Sequence, residues 1–412
     1  MSNGVMATKD PASRRLWLGV DLGGTTAKLG LFQSEAKAGP GAGSGAEMDS
    51  GAEMGSGADC APSVISRPAL LVRTAIPTRL EDEGENILPD IADAAKELVE
   101  ELSLTLSDID GAGVGVPGPV LPVTDRGYPV DGCVNLNWEG IRYVDETLRQ
   151  LTGIQRFYVC NDANAAALGE LYFGTVTDGD DASATGEDPG TAAGPVSSAV
   201  MITIGTGIGG GIIQDGQIIS GAFGAAGEVG HMPISPADPF FLKLREAIPE
   251  LLPCSDLEYY ASATGIVRMA KAALAAEKKS REIPDSPATA SDSPATPEGS
   301  GRSVLHEIAD RGSLEARHVI DAAKAGDPIG VAVTEFFFHT LGQGLASIAS
   351  VVDPDLFIIG GGVSAAGQFL LDGLQKAYQA QVFHASRRTA FRLASMGNDA
   401  GLMGPLVPLM RE

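Results

Sequence analysis

The chain has 412 residues, 44% of them hydrophobic, which is enough for two globular domains with sizeable cores. Its 29 Lys and Arg against 53 Asp and Glu give a formal net charge of −24, which argues against nucleic-acid or anionic-membrane partners, whose phosphates would be repelled. No apolar run reaches the roughly 20 residues of a spanning helix, and no signal-peptide core follows the N-terminus, so we expect a cytoplasmic protein. The cysteines at 60, 133, 160 and 254 are too scattered to predict a disulfide framework.

The first predicted elements are two strands joined by a glycine turn. Leu16 to Val20 and Ala27 to Phe32 are apolar, and Asp21-Leu22-Gly23-Gly24-Thr25-Thr26 connects them. Because glycine has no Cβ, backbone amides in such a turn can approach an anion. Asp21 could hold Mg²⁺ through water, and Lys28 could lie near a phosphate. A purely structural turn, with Lys28 as a solvated strand residue, is the alternative.

Strands and helices are then predicted in turn up to about residue 170. The predicted strands are Leu70–Thr74, Gly111–Val116 and Phe157–Cys160, and the predicted helices are Asn86–Leu104, Val144–Leu151 and Ala165–Glu170.

Asn161 and Asp162 stand between the third of these strands and an alanine-rich helix. An aspartate at such a junction can simply cap the helix. The functional alternative is a general base that accepts the proton of a substrate hydroxyl as that oxygen attacks phosphorus. Asn161 could then hydrogen-bond a neighbouring hydroxyl.

A second glycine-rich stretch runs from Thr203 to His231. Gly205-Thr206-Gly207 follows an apolar run, and the spacing to Gly210 formally matches a dinucleotide fingerprint. That fingerprint requires a helix to begin at the glycines. Ile212 to Ile219 instead predicts a β-hairpin, so we interpret the glycines as a phosphate turn, with a structural turn as the alternative. Glu228 and His231 then bring a carboxylate and an imidazole within three positions.

The last third predicts mostly helices. Tyr259 to Ala275 and Pro328 to Val352 are the longest, and a short helix is expected near Phe240 to Ala247. A buried strand, Leu356 to Ile359, then leads into Gly360-Gly361-Gly362-Val363-Ser364. Glycines there could let the chain lie flat against an adenine ring.

Three segments cannot bury enough apolar area to offset the entropy of ordering them, so we predict mobile surface loops there. They are Ala36 to Ser66, Asp178 to Pro195 and Ser280 to Gly301.

These motifs, in this order, resemble the ROK family of sugar kinases and repressors, most closely its bacterial glucokinases. The resemblance implies the actin-like ATPase (ribonuclease H-like) fold, with two α/β domains around a cleft. We expect an N-terminal domain over 14–134 and a C-terminal domain over 135–397, with a helix at about 398–412 packing back on the first. The motifs that carry the resemblance are Asp21-x-Gly23-Gly24-Thr25 with Lys28, Gly115 to Val120, Asn161 to Ala166, Thr203 to Ile213, Gly227-Glu228-Val229-Gly230-His231, Asp353 to Ser364 and Gly397 to Gly401.

The same resemblance implies roles for individual residues. Asp162 is the expected catalytic base. The expected sugar ligands are Asn161, Asp162, Glu228, His231 and Glu258, with Asn135 and Gly118 added. The residues expected around ATP and Mg²⁺ are Asp21, Gly23, Gly24, Thr25, Lys28, Gly205, Thr206, Gly207, Gly361 and Gly362.

One departure from the family concerns zinc. Its members usually place a His at the position of His231 and follow it with C-x-C-G-x-x-G-C. The corresponding loop, Ser235 to Leu257, contains Cys254 as its only cysteine. We therefore predict no structural zinc and expect packing by Phe240, Phe241 and Leu244 to support the loop instead.

The predicted activity is ATP-dependent phosphorylation of glucose to glucose 6-phosphate, in a homodimer. A kinase for another hexose or N-acetylhexosamine (fructose, mannose or N-acetylmannosamine) is the first alternative, and polyphosphate could replace ATP as donor. A sugar-responsive regulator is the second. Only 15 residues precede the first predicted strand, too few for a DNA-binding helix-turn-helix, and the acidic charge also disfavours it.

Overall fold

A computed structural model of the protein describes residues 14–35, 65–174, 196–282 and 303–411. Apart from a few residues at their ends, the three predicted loop segments lie outside these ranges. The backbone divides into two compact units. The first comprises Met1–Ala199, Gly211–Gly227 and Ser395–Glu412, and the second comprises Val200–Gly210 and Glu228–Ala394.

The first unit is built on a five-stranded sheet of order β3-β2-β1-β4-β7. Its elements in chain order are β1 (Arg14–Leu22), β2 (Thr26–Glu35), β3 (Ala69–Pro77), α1 (Ile87–Glu100), β4 (Gly111–Val116), β5 (Pro129–Asp131), β6 (Ile141–Tyr143), α2 (Val144–Thr152), β7 (Phe157–Asn161) and α3 (Asp162–Phe173). The first three strands are antiparallel, whereas β1, β4 and β7 run parallel. Every residue of β4 is buried, as expected for a central parallel strand.

The register of the parallel strands explains how this sheet positions functional groups. Asp21 at the end of β1 pairs with Gly115 of β4, and Val116 of β4 pairs with Asn161 of β7. The carboxyl ends of three strands therefore meet at one edge. The core beneath is formed by the predicted apolar face of α1 (Ile87, Ile91, Ala95 and Leu98 among others) packed with residues of β1, β2 and β4.

A second sheet has the order β10-β9-β8-β13-β14, and the division between units passes through β8 and β9. The remaining elements are β8 (Ala199–Ile204), β9 (Ile208–Gln214), β10 (Gln217–Ile218), β11 (Pro233–Ile234), α4 (Pro239–Ala247), β12 (Ser255–Asp256), α5 (Leu257–Ala261), α6 (Ala263–Glu282), α7 (Leu305–Asp310), α8 (Ala316–Lys324), α9 (Pro328–Val352), β13 (Leu356–Gly360), α10 (Gln368–Gln381), β14 (Ala390–Leu393), α11 (Asp399–Met403) and α12 (Leu406–Arg411). The predicted hairpin after the glycines is formed by β9 and β10.

The helix predicted from Tyr259 to Ala275 is wrong in one respect, because it is two helices. Ser262 has extended backbone angles (φ −85°, ψ 171°) and separates α5 from α6. Its hydroxyl accepts a hydrogen bond from the amide of Gly265 at 3.0 Å, which caps the new helix. Apolar residues continue across the break, so helical periodicity alone does not reveal it.

The predicted domain boundaries, after residue 134 and after residue 397, stay predictions. The two compact units have other boundaries. Residues 135–199 belong to the first unit because β7 pairs with β4. Ser395–Glu412 also belong to the first unit, where α11 and α12 pack on β4. Among the described residues, no helix combines the length and hydrophobicity required to cross a bilayer.

Candidate active site

The turn between β1 and β2 is held by its own backbone and by the segment after β3. The amide of Gly23 donates to the carbonyl of Thr26 at 3.0 Å, and the Thr78 hydroxyl donates to the carbonyl of Gly23 at 2.7 Å. A Cβ on Gly24 would lie only 2.8 Å from the carbonyl oxygen of Asn135. The turn therefore requires glycine at position 24 for close packing, and hydrogen bonds within the first unit hold its backbone.

Asp21 and Lys28 face each other across the β1–β2 hairpin. Their registered positions bring Lys28 Nζ within 3.0 Å of Asp21 Oδ2, and the Asp21 side chain is only 20% exposed. Gly401 lies against this carboxylate, because a Cβ there would be 3.2 Å from Asp21 Cγ. The pair thus places one carboxylate and one ammonium group beside the glycine turn.

Asn161, not Asp162, caps α3. Its side-chain oxygen accepts hydrogen bonds from the amides of Ala163 at 2.9 Å and Asn164 at 3.4 Å. Asp162 occupies the first helical position, with an exposed side chain whose Oδ1 lies 2.8 Å from the amide of Ala163. Asn161 therefore fills the capping role that was the alternative prediction for Asp162.

Gly118, in the loop after β4, and Asn135, in the 3-10 helix Val134–Leu136, lie at this same edge of the first unit. The carbonyl of Gly118 accepts a hydrogen bond from Asn161 Nδ2 at 3.3 Å, and a Cβ on Gly118 would lie 3.2 Å from Cys133 Sγ. Asn135 packs its backbone on Gly24 and is exposed. The predicted residues of the first unit are therefore brought together, although the Asn161 amide is already engaged in the fold.

Two thiols are buried in this neighbourhood. Burial raises the pKa of the Cys160 thiol strongly, and the negative charge of Asp162 adds to that shift. Burial also raises the pKa of the Cys133 thiol. Hydrogen bonds with the backbone of Leu136 and Asn135 lower this pKa and so partly offset the effect of burial. Both cysteines are free, as is the exposed Cys254.

In the second unit, the turn Gly205–Gly207 is held by the α5–α6 junction. The amide of Ala263 donates to the carbonyl of Gly205 at 2.9 Å, and the hydroxyl of Thr264 donates to the carbonyl of Thr206 at 2.8 Å. Glu258 Oε2 accepts a hydrogen bond from the amide of Ile208 at 2.8 Å. Because the helix breaks at Ser262, residues on both sides of the break, Glu258 before it and Ala263 and Thr264 after it, can contact the turn.

Glu228 precedes and His231 ends a short 3-10 helix, Val229–His231, which packs on Ile208 just after the turn. A Cβ on Gly230 would overlap the carbonyl oxygen of Ile208, so this approach depends on glycine. Glu228 is exposed, and so is His231, whose Nδ1 lies 3.7 Å from Asp256 Oδ2. The structure therefore joins Glu228, His231, Glu258 and the Gly205–Gly207 turn in one part of the second unit.

A cavity of about 660 Å³ opens beside this turn, entirely within the second unit. Small and apolar side chains form most of its wall, and its charged residues balance, with Arg317 and Lys324 against Glu315 and Asp321. Gly361 packs on the backbone of Ile204, while Gly362 lines the cavity itself. Residues of the wall that the sequence patterns did not single out include Thr264, Leu314, Arg317 and Lys324. They come from three separate parts of the chain, namely the start of α6, the segment before α8 and α8 itself, so no single local pattern indicates them.

The loop after His231 does not fit a zinc ion. Among the described residues, no group of three or more His, Cys, Asp or Glu side chains could hold a metal ion. The loop instead contains α4 and the paired strands β11 and β12. Phe241 of α4 stacks on Phe336 with ring centroids 5.5 Å apart and meets Tyr260 edge-on at 5.5 Å. Of the three residues expected to pack here, Phe241 and Leu244 are buried and Phe240 is partly buried.

Comparison with known proteins agrees with this architecture. The family model described as "ROK family" matches residues 175–410. A glucokinase of Halalkalibacterium halodurans is 30% identical over 95% of this chain and 94% of its own length. An N-acetyl-D-glucosamine kinase of Pasteurella multocida is 26% identical over 71% of this chain and 78% of its own.

A solved structure is also similar. It is a ROK family glucokinase of Streptomyces griseus in complex with glucose and AMPPNP, 26% identical, with a TM-score of 0.56 over 95% of this chain and 97% of that one. The fold is the actin-like ATPase fold, built from two α/β units. The chain belongs to the ROK family.

Proposed function

We propose that this protein is an ATP-dependent sugar kinase that converts glucose to glucose 6-phosphate. The observation that carries the proposal is the Gly205–Gly207 turn, which stands at the wall of a 660 Å³ cavity. That volume falls in the range of small-molecule and cofactor sites. A nucleoside in the cavity would direct its phosphates to a turn whose backbone is already fixed. The glucokinase relatives support glucose as the acceptor.

The chemistry follows from the first unit's groups. Asp162, whose side chain is exposed at the start of α3, would accept the proton of the attacking sugar hydroxyl. The glycine turn after Asp21 would hold phosphate oxygens through backbone amides. Asp21 fits a Mg²⁺ ion, because Mg²⁺ is commonly held by one or two carboxylates together with substrate phosphates. A Mg²⁺ ion held there would supply positive charge to offset that of the phosphates.

Carboxylates and an imidazole suit the recognition of a sugar. Glu228, Glu258 and His231 would bond separate hydroxyls of the hexose. A site built to bond a hydroxyl rejects an analogue without it by about 10⁴–10⁵, because its buried polar groups are left unpaired. Asn135, Asn161 and Gly118 of the first unit are proposed as further sugar ligands.

Another hexose or N-acetylhexosamine is the second candidate acceptor. The Pasteurella multocida relative, named an N-acetyl-D-glucosamine kinase, is the observation that favours it. The two candidates share the phosphate turn and Asp162, and they differ only in the sugar.

A coupled assay tests both the activity and the acceptor. Purified protein would be given ATP or polyphosphate with glucose, fructose, mannose, N-acetylglucosamine or N-acetylmannosamine, and ADP or sugar phosphate release would be measured. We expect ATP and glucose to give the highest kcat/KM. A higher value for an N-acetylhexosamine would replace the acceptor, and phosphorylation of none of these sugars would overturn the proposal.

A further inference from the structure

Glu258 touches the phosphate turn directly. Its Oε2 accepts the hydrogen bond of the Ile208 amide at 2.8 Å, and a Cβ on Gly207 would overlap the same carboxylate. Ile208 is buried, with 4% of its surface exposed. Its amide therefore has Glu258 as a close, charged acceptor at the point where the turn enters β9, in a place with little access to water.

Glu258 is itself fixed in place by the short helix α5. Asp256 caps this helix through the amide of Tyr259 at 2.9 Å, and the amide of Leu257 donates to the carbonyl of Met232 at 2.8 Å. Tyr260, fully buried, packs on Phe241 and Phe336 and donates its hydroxyl hydrogen bond to the carbonyl of Leu252 at 2.8 Å. Because α5 is held at these points, the Glu258 side chain that it carries is well placed to hold the phosphate turn in one position.

We propose that Glu258 sets the geometry of the phosphate turn as well as binding the sugar, so that one carboxylate serves both substrates. This inference rests on the proposed kinase function. Oε2 holds the amide of Ile208, and Oε1 is the oxygen that bonds a sugar hydroxyl. Glu258 is thus a positioning residue for the nucleotide, and sugar bound at Oε1 restrains the same side chain that shapes the turn.

Two opposed effects decide whether a substitution of Glu258 strengthens or weakens nucleotide binding. A carboxylate near phosphates repels them, so removing its charge alone should tighten nucleotide binding. Removing the acceptor leaves a buried amide unpaired, which distorts the turn and weakens binding. Since the Glu258–Ile208 bond is 2.8 Å long and Ile208 is buried, the second effect should dominate when the acceptor is lost.

Four variants separate these effects. Glu258→Gln keeps an oxygen at the same reach but removes the charge, Glu258→Asp keeps the charge but withdraws it, and Glu258→Ala removes both. Glu228→Ala is the matched control, because Glu228 is exposed and is expected to bind sugar alone. Mg²⁺-ADP binding without sugar, and glucose binding without nucleotide, would be measured by calorimetry, with thermal unfolding as the check on folding.

The proposal predicts how the variants rank in their affinity for ADP. Glu258→Ala and Glu258→Asp should weaken ADP binding at least about tenfold, the size of one lost hydrogen bond to a charged group. Glu258→Gln should bind ADP at least as tightly as the wild type, and Glu228→Ala should match the wild type. Both Glu258→Ala and Glu228→Ala should lose glucose affinity.

The outcomes also separate this inference from the proposed function. If the wild type binds ADP and phosphorylates a sugar, but Glu258→Ala and Glu258→Asp bind ADP as tightly as it does, the coupling role of Glu258 is wrong while the kinase stands. If the wild type binds neither ADP nor sugar, the kinase proposal itself fails. Should Glu258→Ala fail to fold, the order of Glu258→Gln and Glu258→Asp decides alone.

Discussion

At the scale of single residues, adjacent side chains at the start of α3 have separate tasks. Asn161 satisfies two amides of the first helical turn, which otherwise lack partners. Asp162 begins the helix with its carboxylate at the surface. This separation matters because a base must be able to release and accept a proton without unfolding the element that carries it.

Asp162→Asn tests the role of this carboxylate as general base. The amide is nearly isosteric but accepts no proton, so we expect kcat to fall by about 10²–10⁴ while glucose still binds. Steady-state kinetics and glucose calorimetry would measure the two effects. Asp131→Asn, an exposed carboxylate at the end of β5, is the control and should keep wild-type kinetics. Turnover within a factor of three for Asp162→Asn would remove the base from the mechanism.

Cys160 predicts an alkaline limit to stability. The pKa of the Cys160 thiol is raised in the folded protein. Its contribution to the free energy of unfolding is therefore fully present below the pKa of about 8.5 that a cysteine has in the unfolded chain, and it is lost as the pH rises above that value. The unfolded chain then loses a proton that the folded chain keeps. The free energy of unfolding should therefore fall by up to about 1.4 kcal/mol per pH unit from this group.

Urea unfolding between pH 8 and 9.5, with reductant present, measures that slope. Cys160→Ala should reduce it, whatever the variant's stability at neutral pH, and Cys133, whose pKa is also raised, should leave a remaining slope. Cys254→Ala is the matched control, because Cys254 is exposed and should leave the slope unchanged. Parallel curves for the wild type and Cys160→Ala would show that the thiol does not titrate differently in the two states.

At the scale of elements, aromatic packing holds α5 and its surroundings together. Phe241 of α4, Tyr260 of α5 and Phe336 of α9 form one cluster, with ring centroids 5.5–6.0 Å apart. Burial raises the pKa of Tyr260 to about 12, which keeps its hydroxyl protonated as the donor to Leu252. The cluster therefore ties α4 and the end of the loop to the long helix α9.

Phe241→Ala should lower the free energy of unfolding by about 3–5 kcal/mol, the usual cost of emptying a buried aromatic site. Phe241 is 1% exposed, whereas Phe383 is 61% exposed. Phe383→Ala is therefore the control, and it should change stability by less than about 0.5 kcal/mol. Equal unfolding midpoints for the two variants would mean that the cluster does not stabilise this region.

At the scale of the whole molecule, the signals carried by the sequence were mainly local. Pro328–Val352 has its predicted limits because Asp327 caps it, proline occupies its first position and Asp353 in the left-handed region ends it before Pro354. The glycine turns were predictable for the same reason, since each motif lies within a few residues.

Long-range contacts were not predictable. The bond between Glu258 and the amide of Ile208 joins positions 50 apart, and no local pattern marks it. The break at Ser262 is invisible for the same reason: its cause is the approach of Ala263 and Thr264 to the 205–207 turn. The pairing of β7 with β4 is likewise set by distant parts of the chain, since it places Phe157 opposite Ala112.

The metal content of the intact protein tests how its active-site loop is supported. Between Ser235 and Leu257 the only thiol is Cys254, and three thiolates with His231 are needed for the family's zinc. Purified protein should therefore contain well under one equivalent of zinc by elemental analysis. Prolonged dialysis against EDTA should leave the thermal midpoint unchanged, and activity should return when Mg²⁺ alone is restored. The control is dialysis without chelator. One full equivalent of zinc, or a midpoint that falls with EDTA and recovers with zinc, would mean that other donors assemble a site and that the aromatic cluster does not act alone.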